Sequence, residues 1–213
     1  MTEEKKIRRV YKLCPCNAMD IEGIQTWLED LAADGLLLEK DSIFCGFWGF
    51  IRTTPQKMIY RLEVAARGGI FSDSADMPRE EILETAEAMG WEYVTKYRSF
   101  YIYRSFDPMA RPLNTDPTVQ ALTIKYLRKQ TWTNLILDLL YAIVLLFLRR
   151  SSFGFIFKDL AMIGPVYVVC YLGLFLFFII RPITHVYYLH KAIKQLKKGN
   201  SLDQKKVWKQ KQV

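Results

Sequence analysis

The chain has 213 residues, 51% of them hydrophobic, and a formal net charge of +8 at pH 7. The excess lies in the second half, because residues 1–116 carry 15 Lys and Arg against 19 Asp and Glu, whereas residues 117–213 carry 15 against 3. Basic residues beside apolar segments are typical of membrane flanks, so the charge does not indicate nucleic-acid binding. The four cysteines and two histidines lack zinc-ligand spacing and predict reduced thiols. The charged start is unlike a signal peptide, so we expect a cytosolic N-terminus.

The first predicted elements are a strand, a helix and two further strands. Val10 to Leu13 alternates in the manner of a strand. Between Asp20 and Asp34, apolar residues recur at the i, i+3, i+4, i+7 spacing of one helical face, and Gly35 supplies the residue that ends the helix. Leu36 to Leu38 and Ile43 to Ile51 are then predicted strands.

The second of these strands is rich in aromatic residues. Phe47, Trp48 and Phe50 lie in it, close behind Phe44. Aromatic strands usually pack against a neighbouring helix, and this is the first interpretation. The alternative is a surface for interaction or ligand stacking formed by Phe47, Trp48 and Phe50.

The same succession repeats further along the chain. Ile59 to Leu62 has the residue types of Val10 to Leu13, position for position. A helix from Pro78 to Met89 is predicted next, with Gly90 closing it. Two more strands are predicted over Trp91–Tyr97 and Phe100–Arg104.

Two βαββ units in tandem indicate an α+β domain over residues 1–112. The expected form is a two-layer sandwich in which one mostly antiparallel sheet of about six strands carries both helices on the same face. Trp27 is expected to be buried between its helix and the sheet, and the repeat predicts that Trp91 of the second unit is buried as well.

Several short motifs in this half resemble those of a known family. They are Tyr11-Lys12-Leu13, Trp27-Leu28 with Ala32, Ala33 and Gly35, Tyr60-Arg61-Leu62, Gly90-Trp91-Glu92 and Asn114-Thr115-Asp116-Pro117. In this order, over roughly residues 8–118, they resemble the bacterial membrane-associated family catalogued as domain of unknown function 2812. The resemblance implies a cytosolic domain at a membrane, often encoded beside PadR-type regulators, with no assigned catalytic residues.

Two apolar runs dominate the second half. Residues 113–131 are predicted to form a linker and a basic juxtamembrane helix. Leu160 to Ile180 has no formal charge and has the length of a bilayer span, and Trp132 to Leu148 is a weaker apolar run just upstream. With the short link from Arg149 to Asp159, the pattern predicts a two-helix transmembrane hairpin over residues 132–180.

The remaining residues, 181–213, are predicted to form a basic cytosolic tail. Thr184 to Lys198 has an apolar stripe opposite lysines, which predicts a basic amphipathic C-terminal helix lying on an anionic leaflet. The lysines assigned to the membrane surface are Lys191, Lys194, Lys197 and Lys198. The distribution of positive charge predicts a multi-pass cell-membrane protein with both termini in the cytosol and the link outside.

Asp138 is the residue that departs from the apolar pattern. A carboxylate inside a span is costly and marks a candidate polar site, for which Tyr171 and Arg181 are candidate partners from the second span. A structural or assembly role is weighed against ion or proton handling.

No catalytic constellation is recognisable. The sequence has no phosphate loop after a strand, no paired-histidine zinc motif and no nucleophile elbow. We therefore expect a non-catalytic, membrane-anchored protein-interaction or regulatory module with no cofactor, acting on a protein partner or as a homo-oligomer. The alternatives are a small-molecule sensor or enzyme using the aromatic surface of residues 44–50, and an accessory subunit of a membrane transporter.

Overall fold

The computed structural model describes residues 9–44, 46–65, 77–107, 109–113, 116–152, 164–200 and 202. In these residues the chain forms six strands and four helices. Their order is β1 (Arg9–Leu13), α1 (Ile21–Ala33), β2 (Leu36–Phe44), β3 (Phe47–Arg52), β4 (Ile59–Val64), α2 (Glu80–Ala88), β5 (Glu92–Tyr97), β6 (Phe100–Ser105), α3 (Pro117–Ser152) and α4 (Gly164–Lys197).

Helix α1 begins and ends where its local residues require. The Asp20 side chain caps the first turn, since its Oδ1 accepts a hydrogen bond from the Gly23 amide at 3.2 Å. Gly35 follows the helix with a φ of +80°, and a Cβ there would lie 2.7 Å from the Thr53 carbonyl oxygen. Only glycine fits this turn without strain, so the predicted end of the helix is confirmed.

Each βαββ unit forms its own antiparallel sheet, with the third strand in the middle. The strand orders are β1-β3-β2 and β4-β6-β5, so the two units share one topology. The α+β succession and the repeat are therefore correct, but the prediction of one six-stranded sheet is wrong. The strands that face each other, β2 and β5, both carry a bulge, between Leu38 and Ile43 and between Tyr93 and Thr95. A bulge bends and twists a strand, which prevents a continuous ladder from forming.

Side chains join the two sheets where the ladder stops. Arg104 donates from Nε to Glu92 Oε2 at 2.8 Å and from Nη1 to the Leu38 carbonyl oxygen at 3.0 Å. Lys40 of β2 reaches Glu92 Oε1 at 2.9 Å. These contacts connect β2 to β5 and β6 and replace backbone pairing with charged hydrogen bonds.

The two helices of the repeat lie on opposite faces, whereas the sequence predicts both on the same face. Phe100 and Ile102 of β6 belong to the same buried cluster as α1, whereas Tyr101 and Tyr103 belong to a second cluster with Ala86 of α2. Alternate residues of a strand point to opposite faces, so α1 and α2 lie on opposite sides of the second sheet.

The main core is built around α1. Trp27 is buried and packs edge-on against Trp48 and Phe50 of β3, with ring centroids 5.4 and 5.7 Å apart. Edge-on packing of this kind is favourable for aromatic pairs. Trp91 is buried in the second cluster, so both predicted tryptophan positions are confirmed as core.

Helices α3 and α4 belong to the main core as well. Ile124 and Leu127 of α3 and Leu189 and Ile193 of α4 are buried in the same cluster as α1. The apolar stripe assigned to the C-terminal amphipathic helix therefore faces protein. The division expected at residue 112 does not separate two cores, because side chains on both sides of it pack together.

The helices of the second half do not form the predicted transmembrane hairpin. Within the described residues, none of the helices combines the length and the apolar character that a membrane span requires. The two-span prediction over residues 132–180, and with it the multi-pass cell-membrane localisation with both termini cytosolic, is therefore wrong. Helix α3 runs without a break from Pro117 to Ser152. Its polar residues recur along the described part at Lys125, Arg128, Lys129, Asn134 and Asp138.

The remaining parts of that prediction fall partly outside the described residues. The link expected from Arg149 to Asp159 begins inside α3, and its residues 153–159 lie outside the described residues. Residues 160–163 of the second apolar run also lie outside the described residues. The separate amphipathic helix expected from Thr184 is the second half of α4, which continues through Pro182.

Candidate functional site

The aromatic strand β3 does not present its three candidate residues on one surface. Trp48 and Phe50 are completely buried, whereas Phe47 is 51% exposed. Residue 47 points to the opposite face of the strand from residues 48 and 50, because side chains alternate. Phe47 pairs instead with Phe44 on one side and Leu13 on the other, and both of these are exposed.

A polar cavity of about 390 Å³ lies between the βαββ domain and the α3 and α4 pair. Its buried apolar floor is formed by Met19, Leu127 and Leu135. Its size falls in the range that holds small ligands, and an apolar floor with a few polar groups is the usual composition of such sites.

One wall of the cavity is a row of oxygen-bearing side chains on α3. Gln130, Asn134 and Asp138 all line the cavity. Their spacing of i, i+4 and i+8 places them one above another on a single face of the helix. Gln130 is only 8% exposed, and its Oε1 atom has no hydrogen-bond partner in the structure. A buried acceptor left unsatisfied costs about 1 to 3 kcal/mol.

The facing groups are basic. Arg181 and His185 lie four residues apart on α4, and Arg98 lies in the turn between β5 and β6. Arg98 has a φ of 53°, the left-handed region that residues with a side chain adopt at a cost. Backbone strain at a charged residue lining a cavity is typical of functional sites.

His185 is held in its neutral form by its surroundings. Burial, and to a lesser extent the charge of Arg98, lower the pKa of His185 below its ordinary value. The cavity therefore carries two formal positive charges and one negative charge at neutral pH, from Arg98, Arg181 and Asp138.

Hydrogen bonds hold the walls of the cavity in place. Arg128 Nη1 lies 3.0 Å from His190 Nδ1 and links α3 to α4. Asn17 Nδ2 donates to Thr184 Oγ1 at 3.4 Å, which connects α4 to the segment before α1. Helices fixed in this way position side chains more accurately than loops do.

The structure brings two of the sequence-derived candidates together. Asp138 and Arg181 line the same cavity. Tyr171 lies in α4, and its side chain is outside the described residues. The candidate lysines are exposed. Lys191, Lys194 and Lys197 lie in α4, and Lys198 follows it directly.

Sequence reasoning missed four polar residues of the cavity. Gln130 and Asn134 follow the helical spacing to Asp138, and that spacing is a signal that could have found them. Arg98 and His185 have no comparable local signal, because they reach the cavity from separate elements. For metals, no group of three or more His, Cys, Asp or Glu suited to holding an ion occurs in the described part of the chain.

The chain belongs to the family described as Protein of unknown function (DUF2812), whose model matches residues 20–137, more than half of the chain. The match includes Arg98, Gln130 and Asn134 and ends one residue before Asp138. Arg181 and His185 also lie beyond it. No curated protein and no solved structure matches the chain.

Proposed function

We propose that the protein is a non-catalytic binding module that takes up a small charged molecule in the cavity between the β5–β6 turn and helices α3 and α4. The observation that carries this proposal is the lining of the cavity, in which Arg98, Arg181 and Asp138 accompany the amide side chain of Gln130. A bound molecule with polar and charged groups forms hydrogen bonds and ion pairs with such side chains.

The position of the cavity suggests a regulatory use of binding. Its walls come from the β5–β6 turn and from two long helices that pack on the same core. A ligand touching both holds the helices and the domain in one relative arrangement, and it shifts the population towards that arrangement by its differential affinity. A sensor of this kind needs no catalytic groups.

The test uses the purified full-length chain and thermal unfolding in the presence of single small charged molecules. A ligand at about 100 times its Kd stabilises the folded state by about 2.7 kcal/mol, which is a clear rise in Tm. Gln130→Leu removes the unsatisfied oxygen at similar volume, so it should leave the ligand-free Tm unchanged or higher and reduce the ligand-induced rise. The matched control is Gln120→Leu, also on α3 but outside this cavity.

The proposal predicts that Gln120→Leu keeps the full ligand response. If no charged small molecule raises the Tm, the binding function is wrong. If Gln130→Leu and Gln120→Leu respond equally to an active compound, binding takes place elsewhere.

A second candidate function is protein interaction through the outer face of the first sheet. Phe44 is 77% exposed beside Phe47, with Tyr11 and Leu13 exposed on the neighbouring strand. Contiguous exposed apolar side chains are typical of interaction surfaces. Replacing Phe44 and Phe47 together by Ser should leave folding intact and abolish association, measured as molar mass in solution. An unchanged molar mass and unchanged co-purifying proteins would exclude this surface.

A further inference from the structure

We infer that one face of α3 docks on the surface of a bilayer that contains anionic phospholipids, with its lysines at the headgroups and its aromatic rings among them. The face contains a groove of about 500 Å³. It is lined by Leu122, Lys125, Tyr126, Arg128, Lys129 and Trp132. These residues are all different from those that line the cavity, so the inference is independent of the proposed binding function.

The groove carries positive charge on helices that are almost free of acidic residues. Lys125 and Lys129 are exposed and lie one helical turn apart on α3. Asp138 is the only acidic residue in the sequences of α3 and α4, and it lines the cavity instead. Anionic headgroups attract exposed lysines of this kind, and the attraction adds up over neighbouring lysines.

Helix α4 extends the positive charge beyond the groove. The Arg128 guanidinium already has a partner, since its Nη1 lies 3.0 Å from His190 Nδ1. This contact brings α4 to the edge of the groove, and Lys191 and Lys194 follow His190 within about one helical turn. Both lysines are exposed, so docking of the α3 face places them near the same headgroups.

The apolar part of the groove distinguishes a lipid surface from other polyanions. Leu122, Tyr126 and Trp132 are exposed beside the lysines. Tyrosine and tryptophan are enriched at membrane–water interfaces, where the ring contacts apolar groups and the polar atom stays in water. A nucleic-acid duplex pairs with the lysines through its phosphates but leaves the leucine exposed to water. A bilayer surface satisfies both kinds of side chain.

The apolar character continues along the same face of α3. Ile136, Leu140 and Ile143 are exposed and follow Trp132 in steps of three or four residues, which keeps them on its face. Binding of this kind takes place at the level of the headgroups and needs no membrane-spanning helix. The structure therefore moves the lipid contact from the α4 stripe, which is buried against protein, to α3.

The experiment is co-sedimentation of the full-length chain with vesicles. One set contains phosphatidylglycerol and phosphatidylcholine in equal parts, and the other contains phosphatidylcholine alone. We expect binding to the anionic vesicles only, because the neutral ones offer no net charge to the lysines. Raising the salt from about 0.1 M to about 1 M, which shortens the Debye length from about 10 Å to about 3 Å, should release most of the protein. Sodium phosphate and sodium chloride at equal ionic strength should release the same amount.

Two double variants of equal net charge locate the contact. Lys125→Gln/Lys129→Gln should weaken vesicle binding about thirtyfold, because each lysine near an anionic surface contributes about fivefold. The matched control, Arg52→Gln/Lys57→Gln, removes two exposed cations from the βαββ domain. It should change vesicle binding by less than about twofold, since charges away from the contact are screened.

Two single variants test the apolar part of the groove. Trp132→Ala should weaken vesicle binding at least about tenfold and Leu122→Ala about fivefold, since each loses apolar area that the lipid covers. All of these variants replace exposed side chains, so each should keep the wild-type Tm to within about 2 °C.

The inference is overturned if the protein does not bind anionic vesicles or binds both kinds of vesicle equally. Equal weakening by the two double variants would show an effect of net charge and not of this face. A DNA duplex that is bound as tightly as the anionic vesicles, with no effect of Trp132→Ala, would assign the lysines to nucleic acid. Stronger release by phosphate than by chloride would indicate a site for the free anion. None of these results bears on ligand binding in the cavity.

Discussion

Leu189 of α4 offers a direct test of how the C-terminal half of the chain is packed. Its side chain is 0% exposed and belongs to the buried cluster that contains Ile24 of α1 and Leu127 of α3. Transfer of a buried leucine side chain to water costs about 1.5 to 3 kcal/mol. Leu→Ala changes in cores also leave a cavity, which brings the total to about 2 to 5 kcal/mol. For Leu189→Ala we expect a loss of about 3 kcal/mol, because three helices meet around the site.

The measurement is urea unfolding followed by tryptophan fluorescence, with the slope checked to be the same in both proteins. A loss of this size corresponds to a decrease in Tm of about 6 to 12 °C for a chain of this length. The matched control is Leu122→Ala on α3, where the leucine is 63% exposed. This control should change stability by less than about 0.5 kcal/mol. If both variants have the same urea midpoint of unfolding as the wild type, α4 does not form part of the core and the packing described above is wrong.

Three further predictions concern charged groups. Burial raises the pKa of Glu92, but hydrogen bonds from Arg104 and a neighbouring lysine outweigh it and hold the pKa below the ordinary 4.5. This stability is present above pH 4.5 and is lost as the pH falls through the lowered pKa, so Glu92→Gln should flatten the acid side of a stability profile measured in urea. Burial and Arg98 lower the pKa of His185 from 6.5. Below pH 6.5 the unfolded chain therefore binds a proton at His185 more readily than the folded chain does, so the stability falls as the pH drops. His185→Gln should remove the part of this loss of stability that His185 causes. An unaltered profile in either variant would assign the dependence to other groups. Arg98→Gly should raise stability by roughly 1 kcal/mol by relieving a φ of 53° while weakening ligand binding. Asp41→Gly, at φ 49° outside the cavity, should give a smaller gain, because aspartate tolerates this region, and should leave binding unchanged.

The local elements of the first half could be predicted because their signals are local. A helical repeat of apolar residues and a glycine at φ +80° define α1 and its end at Gly35. The recurrence of one succession of elements predicted two equivalent units, and the shared strand orders of the two sheets confirm it. Strand pairing between the units was not predictable, because the bulges in β2 and β5 depend on contacts across the sheets.

The candidate site was predictable only in part. Asp138 and Arg181 were recognisable as charges beside apolar segments, and they do line one cavity. The spacing of Gln130 to Asp138 places both on one face of a helix, but the burial of Gln130 and its unsatisfied oxygen are properties of the packed helices and have no signal in the sequence. Arg98 reaches the cavity from a turn about 30 residues before Gln130 in the chain.

The second half shows the physical limit most clearly. Periodicity identifies which face of a helix is apolar, but it does not identify what covers that face. The stripe containing Leu189 and Ile193 fits a lipid leaflet and a protein core equally well by its pattern. Only the tertiary structure, in which α1 and α3 bury these two side chains, selects the core. The apolar stripe is local information, and its partner is decided by chain segments far away in the sequence.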